Sequence, residues 1–456
     1  MDPVGTALMT LEQLLDDVLV MVMQFLDVED VLACRLVCKR FCGLALHPDV
    51  WRHRTLHDHH PCAGAVLHLA PCLNTLVITG EVPTLAVTTT RCAVAGLDLL
   101  SNCRGTEYPL ALAVRNQESL GRLRRLELAT YNLRLADVLV RTVASCCHLE
   151  SLDVISSLPG ISHPVVHGPP KPSLIKFRCP LDKNSASFVH AILAGHAATL
   201  EEVDLLTCSS PEGTTATLLA ALPRLRSLEC DDSVRGLQSV ASCKMLREVC
   251  ITLYDDVDRL ERVVKFLRRA SQLQRVCLEN CTGEDTPEYC MALVEALGSR
   301  LERLALVGFE VEVVRPLLRV LPSLPALRHL DVDEDLGDKL LKGITPVTAP
   351  ALTLLEIAGE TLCPHAWIHG DAVKSTLAEN PSLHIQLWCP NECDPEDCET
   401  CVQGCHQEVK WDEVRKIGLY SHDPDKCPSP EDHTDDTHWK RSYDRDTNVA
   451  CTWIHM

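Results

Sequence analysis

The feature that most constrains this chain is a six-residue motif that keeps returning. L-x-x-L-x-L, with apolar substitutes, occurs as LNTLVI from Leu73, LRRLEL from Leu123, LESLDV from Leu149 and LIKFRC from Leu174. It continues as LEEVDL from Leu200, LRSLEC from Leu225, LREVCI from Leu246, LQRVCL from Leu273, LERLAL from Leu301, LRHLDV from Leu327 and LTLLEI from Leu352. From Leu123 onward the copies stand 26, 25, 26, 25, 21, 27, 28, 26 and 25 residues apart. Within each copy the apolar positions alternate with period two, which suits a strand and argues against an all-helical array. Between copies the spacing turns helical, as in VLVRTVASCCH from Val138 and LERVVKFLRRA from Leu260. One short strand and one helix cannot bury their own apolar stripe, whereas stacked copies form a continuous core. The expected fold class is therefore α/β, a solenoid of parallel strands backed by helices. LHIQLW at Leu383 reads as a degenerate closing copy, and the stretch near Leu97 as a degenerate early one.

Composition narrows the function. Aromatic residues make up only 4% of the chain, as expected for a core of many small leucine layers. The formal net charge of −20 argues against nucleic acid and anionic membrane surfaces as partners and is compatible with a basic protein partner. No stretch approaches the roughly 18 uncharged apolar residues of a membrane span. No positive segment opens the N-terminus, so the 25 cysteines are expected to be mostly reduced, in cytoplasm or nucleus. There is no nucleophile elbow, phosphate-binding loop or zinc-protease motif, so the chain is expected not to be an enzyme.

The N-terminus is of a different kind. Asp16-Asp17 precede Val18, Leu19, Val22, Phe25 and Leu26, an amphipathic helix with acids at its positive end. Asp27 suits an N-cap for a second helix carrying Val31, Leu32, Leu36 and Val37. Lys39-Arg40-Phe41 opens a third, stopped near Pro48. Three helices in about 35 residues bury little surface alone and must pack on something else. Cys34, Cys38 and Cys42 read as small hydrophobes on one helical face.

These residues carry a resemblance. Leu14-Leu15-Asp16-Asp17-Val18-Leu19, Met23-Gln24-Phe25-Leu26, Asp30-Val31, Val37-Cys38-Lys39-Arg40-Phe41 and Trp51 together resemble the F-box, with Leu15 where that family usually has Pro and Asp17 in place of Glu. The resemblance implies docking to the Skp-type linker of a Skp–cullin–F-box ubiquitin ligase, and through it to cullin. Carried over, it places Leu14, Val18, Leu19, Leu26, Val31 and Val37 in or beside that interface. The repeat period is that of leucine-rich repeats. Leu200 to Cys208 and Leu273 to Cys281 look like the cysteine-containing class found in F-box proteins, which implies that Cys208 and Cys281 bond backbone groups at the turn. The expected domains are an F-box over 8–56, a leucine-rich-repeat solenoid over 57–388 and a tail over 389–456. The resemblance as a whole implies a substrate receptor that marks its target for degradation. A repeat scaffold outside any ligase, and a metal- or redox-sensing regulator working through the tail, are the alternatives.

In a repeat horseshoe the strands line the concave face. The residue between the last two apolar anchors of each copy points out of it. Those residues are Glu127, Asp153, Arg178, Asp204, Glu229, Cys250, Cys277, Ala305, Asp331 and Glu356. Glu127, Asp153, Asp204, Glu229, Asp331 and Glu356 are expected to cradle a basic segment of the target, with Cys250 to Ala305 taking an apolar anchor.

The tail from residue 389 carries 16 acids against 7 Lys and Arg. Cys393, Cys398, Cys401, Cys405 and His406 supply donors of the kind a tetrahedral zinc site or an iron–sulfur cluster requires. Cys427, His433, His438 and Cys451 are candidates for a second set, although their spacing fits no common finger. The expectation is no resident cofactor, with zinc or iron–sulfur as the alternative. Val409 to Leu419 suggests a helix.

Overall fold

A computed structural model describes residues 13–80, 84–100, 107–129, 137–155, 165, 168–169, 171–205, 213–254, 256–281, 286–332, 337–358, 363–388, 405–406, 409, 416–427 and 451–456. The chain divides into two compact units, residues 1–210 and 211–456. No described helix is long and apolar enough to cross a membrane.

The first unit opens with four helices, α1 (Asp16–Gln24), α2 (Val28–Cys34), α3 (Lys39–Ala45) and α4 (Pro48–Trp51). The first three lie where the periodicity puts them. Pro48 does more than end α3: it occupies the first turn of α4, where its missing N–H costs nothing. The three cysteines do not share a helical face. Cys34 ends α2 and Cys42 lies in α3. Exposed Cys38 is the N-cap of α3, its sulfur accepting from the Phe41 N–H.

Seven parallel strands follow in chain order: β1 (Thr55–His57), β2 (Cys72–Ile78), β3 (Ala93–Leu99), β4 (Arg125–Leu128), β5 (Ser151–Val154), β6 (Lys176–Arg178) and β7 (Glu202–Asp204). Every repeat copy in this unit is a strand. β1 carries no leucine copy and was not legible in the sequence. The register keeps like positions level: Leu97, Leu126, Leu152, Phe177 and Val203 are consecutive partners, all buried. This stacking of one small apolar layer on the next is the core of a leucine-rich-repeat solenoid.

Buried polar side chains tie the layers together. The Gln117 side-chain amide bonds both the N–H of Val94 and the carbonyl of Cys92. His196 is buried, and its Nδ1 accepts from the backbone N–H groups of Ser173 (3.0 Å) and Leu174 (3.2 Å). Burial pulls its pKa from 6.5 down to about 4. The unfolded chain therefore takes up this proton first as pH falls. His196 is expected to cost the first unit roughly 3 kcal/mol of stability between pH 6.5 and 4. Denaturant titrations at several pH values would show that slope, and His196→Gln should flatten it.

The second unit continues the pattern with β8 (Ser227–Asp231), β9 (Glu248–Leu253), β10 (Arg275–Asn280), β11 (Arg303–Val307), β12 (His329–Val332), β13 (Leu354–Ala358) and β14 (His384–Trp388), all parallel. The shortest repeat, between Leu225 and Leu246, has no room for an α-helix and uses a 3-10 turn at Leu237–Ser242 instead. At the end of β10 the Asn280 side chain bonds backbone, its Nδ2 donating to the Gly308 carbonyl at 3.3 Å. Asn280 is buried and Cys281 is exposed. Cys208 lies outside the described residues.

The tail joins this sheet. β15 (Lys416–Tyr420) runs antiparallel to β14, and β16 (Thr452–His455) runs parallel to β15. Residues 416–419, expected to end a helix, are strand. Ile417 and Leu419 are fully buried, and extending the sheet across β14 satisfies an otherwise unpaired edge. Gly418 fits this junction because the Trp453 ring lies where a Cβ would stand.

Candidate docking surfaces

The N-terminal helices share a small buried core. Leu19, Val20 and Met23 of α1, Val31 of α2, Leu44 and Ala45 of α3, and Val50 and Trp51 of α4 are buried. The Trp51 indole N–H donates to the Ala45 carbonyl at 2.7 Å. Arg54 donates to the carbonyls of Val50, Met23 and Gln24, closing the C-terminal end of α1. Arg40 holds Asp16 through its Nε at 2.7 Å and also reaches the Leu14 carbonyl, tying α3 to the start of α1.

With those needs met, a second apolar surface remains outside. Phe25 is 84% exposed, Leu36 81%, Leu15 72% and Val37 69%. Met21 and Val22 are about half exposed, and Val18 is exposed as well. So many exposed apolar side chains in so short a stretch mark an interaction surface. The residues carried over from the F-box divide accordingly. Val18 and Val37 are exposed, and Leu14 and Leu26 are half-buried. Leu19 and Val31 are corrected: both are sealed in the helical core, 2% and 0% exposed. Exposed Leu15, Met21, Val22, Phe25 and Leu36 were not among the residues carried over. The signal was there in the 18, 21/22, 25 spacing, but α1 is apolar on two arcs and periodicity does not say which arc turns inward.

The strand row forms as the register predicts. Asp98, Glu127, Asp153, Arg178 and Asp204 are consecutive partners across β3 to β7. Asp98 was missed because its copy of the motif is degenerate. Arg178 sits inside the row, 2.9 Å from Asp204 and 3.7 Å from Asp153, and offsets those two carboxylates. Burial raises the pKa of Asp98 against the pull of Arg125 and His57. Burial also raises Glu127, with Asp98 and Asp153 adding to it.

In the second unit the row is Glu229, Cys250, Cys277, Ala305, Asp331, Glu356 and Gln386. Glu229 is half-buried, and every later member is buried. Cys250, Cys277, Ala305 and Val307 pack as one apolar cluster. The Cys277 hydrogen bond, with burial, pushes the Cys250 thiol up, so neither its position nor its chemistry suits a reactive role. Asp331 and Glu356, expected to face a partner, are corrected too. Glu356 is enclosed by His329 Nε2 at 3.1 Å, by Lys416 Nζ at 3.6 Å and by the Trp388 indole N–H. The tail strand β15 supplies that lysine, which also stacks 4.8 Å over the Trp388 ring. Burial alone would raise Glu356, but the His329 bond and charge and the Lys416 charge outweigh it and hold the carboxyl well below its usual range.

Of the tail residues singled out as metal ligands, Cys405, His406, Cys427 and Cys451 are described, and Cys393, Cys398, Cys401, His433 and His438 lie outside the described residues. Cys405 does not meet another tail cysteine among the described residues. It meets His365 and His369. Cys427 meets His384 and His422. The histidines come from repeat segments and from just beyond β15, a pairing that linear spacing does not reveal.

The F-box-like family model matches residues 13–57. No curated protein matches the sequence. Solved structures with a similar course include the leucine-rich repeat-containing protein LegL7 from Legionella pneumophila, at 14% identity and a TM-score of 0.38, covering 67% of this chain and 97% of that one. Another is the Rad7 and Elc1 complex in yeast, at 15% identity and a TM-score of 0.39, covering 76% and 91%. The family match and the repeat geometry described above lead to one statement: this chain carries an F-box-like domain at its N-terminus, followed by leucine-rich repeats.

Proposed function

We propose that the protein is a non-catalytic substrate receptor of a Skp–cullin–F-box ubiquitin ligase. The observation that carries this reading is the set of exposed apolar side chains Leu15, Met21, Val22, Phe25, Leu36 and Val37, left outside the buried core of the N-terminal helices. An apolar surface of this kind fits the Skp-type linker, which in turn holds cullin. The repeats hold the target, and ubiquitin transfer takes place on other subunits, promoted by proximity. Cytoplasm or nucleus, where thiols stay reduced, suits the abundance of free cysteine.

The target surface in this reading is the row of the first unit. Asp98 and Glu127 would receive a basic segment, whose charge favours the ionised form of both carboxylates. Asp153 and Asp204 flank it, tempered by Arg178. Reversing Glu127, Asp153 and Asp204 to Lys is expected to lower capture of a basic target by at least ~100-fold, as several opposed charges at one interface would. Quantitative pull-down of lysine- and arginine-rich targets, with linker binding measured in parallel, tests this. Unchanged capture with intact linker binding would remove the target surface. Absence of ligase subunits from complexes of the intact chain would remove the receptor role.

A further inference from the structure

Two side-chain clusters in the second unit have a common construction. In the first, His365 and His369 stand one helical turn apart, at the start and C-cap of the short helix Pro364–Ile368. Their Nε2 atoms converge on Cys405 Sγ, at 2.8 and 3.2 Å. His406, held at φ 57°, brings its ring within 5.3 Å of the His369 ring. In the second cluster His384, the first residue of β14, places Nε2 3.3 Å from Cys427 Sγ, and His422 completes the group. In each group one donor atom per residue lies within 4.8 Å of the others.

The second cluster also has its histidine tautomers fixed. His384 Nδ1 lies 3.0 Å from the Thr353 carbonyl, and His422 Nδ1 lies 3.0 Å from the Pro381 carbonyl. A carbonyl only accepts, so both Nδ1 atoms carry the proton and the opposite nitrogens present lone pairs. Backbone carbonyls behind metal-binding histidines orient the ring in this way. Two imidazoles and one thiolate form a donor set suited to zinc. A tetrahedral zinc ion with ligands at ~2.0 and ~2.3 Å sets N and S about 3.6 Å apart, so a small splay of the present separations admits it.

We propose that His365, His369 and Cys405 form one zinc site and that His384, His422 and Cys427 form a second. Together the two ions fasten the C-terminal tail to the last repeats. On binding, each cysteine thiol gives its proton to solvent and the thiolate sulfur bonds the ion. The fourth position is taken by water or a further side chain. At the first site the repeat side supplies both histidines and the tail supplies the cysteine; at the second the repeat side supplies His384 and the tail supplies His422 and Cys427, so each ion bridges the last repeats and the tail.

The test is metal analysis of the purified full-length chain after dialysis, together with cobalt substitution. Zinc is expected at about two ions per chain, falling by about one in Cys405→Ser and by about one in Cys427→Ser, with no change in Cys281→Ser. Cobalt should give thiolate charge-transfer absorption and the intense visible bands of tetrahedral coordination, weakened in each site variant. Should a serine variant fail to fold, the cobalt spectrum of the unmodified chain still decides. Less than ~0.2 zinc per chain with no cobalt spectrum would overturn the proposal. So would iron with sulfide in place of zinc, or a zinc content that neither serine variant lowers.

Discussion

Phe25→Glu is expected to weaken binding of the Skp-type linker by roughly 100-fold or more while leaving thermal stability within about 0.5 kcal/mol of the parent. The two expectations separate because of where the residue sits. Phe25 is 84% exposed and is the C-cap residue of α1, so the fold gains little from it. Leu36→Glu is expected to behave in the same way, for the same reason. Val31→Asp makes the contrasting control: Val31 is fully buried, and a carboxylate there should unfold the helical domain and abolish binding along with stability. Calorimetric titration against purified linker, with melting curves for each variant, distinguishes a docking surface from a structural one. Equal loss of stability and binding in Phe25→Glu would place it in the core and contradict the structure.

The second large effect is expected at Glu356. Glu356→Gln removes the carboxylate that Lys416, 1% exposed, faces across 3.6 Å. Breaking one partner out of a buried ion pair costs about 3–5 kcal/mol. The loss should appear as release of β15 and the segments paired with it, read by hydrogen exchange at Lys416–Tyr420. The pH dependence has a definite sign. Because the folded pKa of Glu356 lies below its unfolded value, its contribution is complete above about pH 4.3 and is lost as pH falls through the folded value. His196 acts on the other unit and at higher pH, so the two slopes are separable. Glu356→Gln with unchanged stability at neutral pH would mean that Lys416 is not held by this pair.

The repeat strands were legible because period two and a 21–28 residue recurrence leave few alternatives. Register followed directly, since stacking aligns Leu126 with Leu152 and Glu127 with Asp153. Exposure was not legible. Cys277 and Glu127 hold equivalent positions in their copies, yet one is buried and the other half-exposed, because burial depends on chain elsewhere in each unit. The same holds for Glu356, whose partner Lys416 lies 60 positions away. The F-box-like helices were placed well, but Leu19 and Phe25, read on one apolar face, are buried and exposed respectively, since an amphipathic pattern with two apolar arcs has two inward solutions. Cysteine spacing in the tail pointed at metal chemistry but not at His365 and His384, which linear distance hides.

The measurement that bears most directly on the receptor reading is titration of the intact chain with purified Skp-type linker. A one-to-one complex should form with a dissociation constant at or below ~1 μM, with new hydrogen-exchange protection at Asp16–Gln24 and at Leu36–Val37. No complex at ~50 μM of either protein would contradict it.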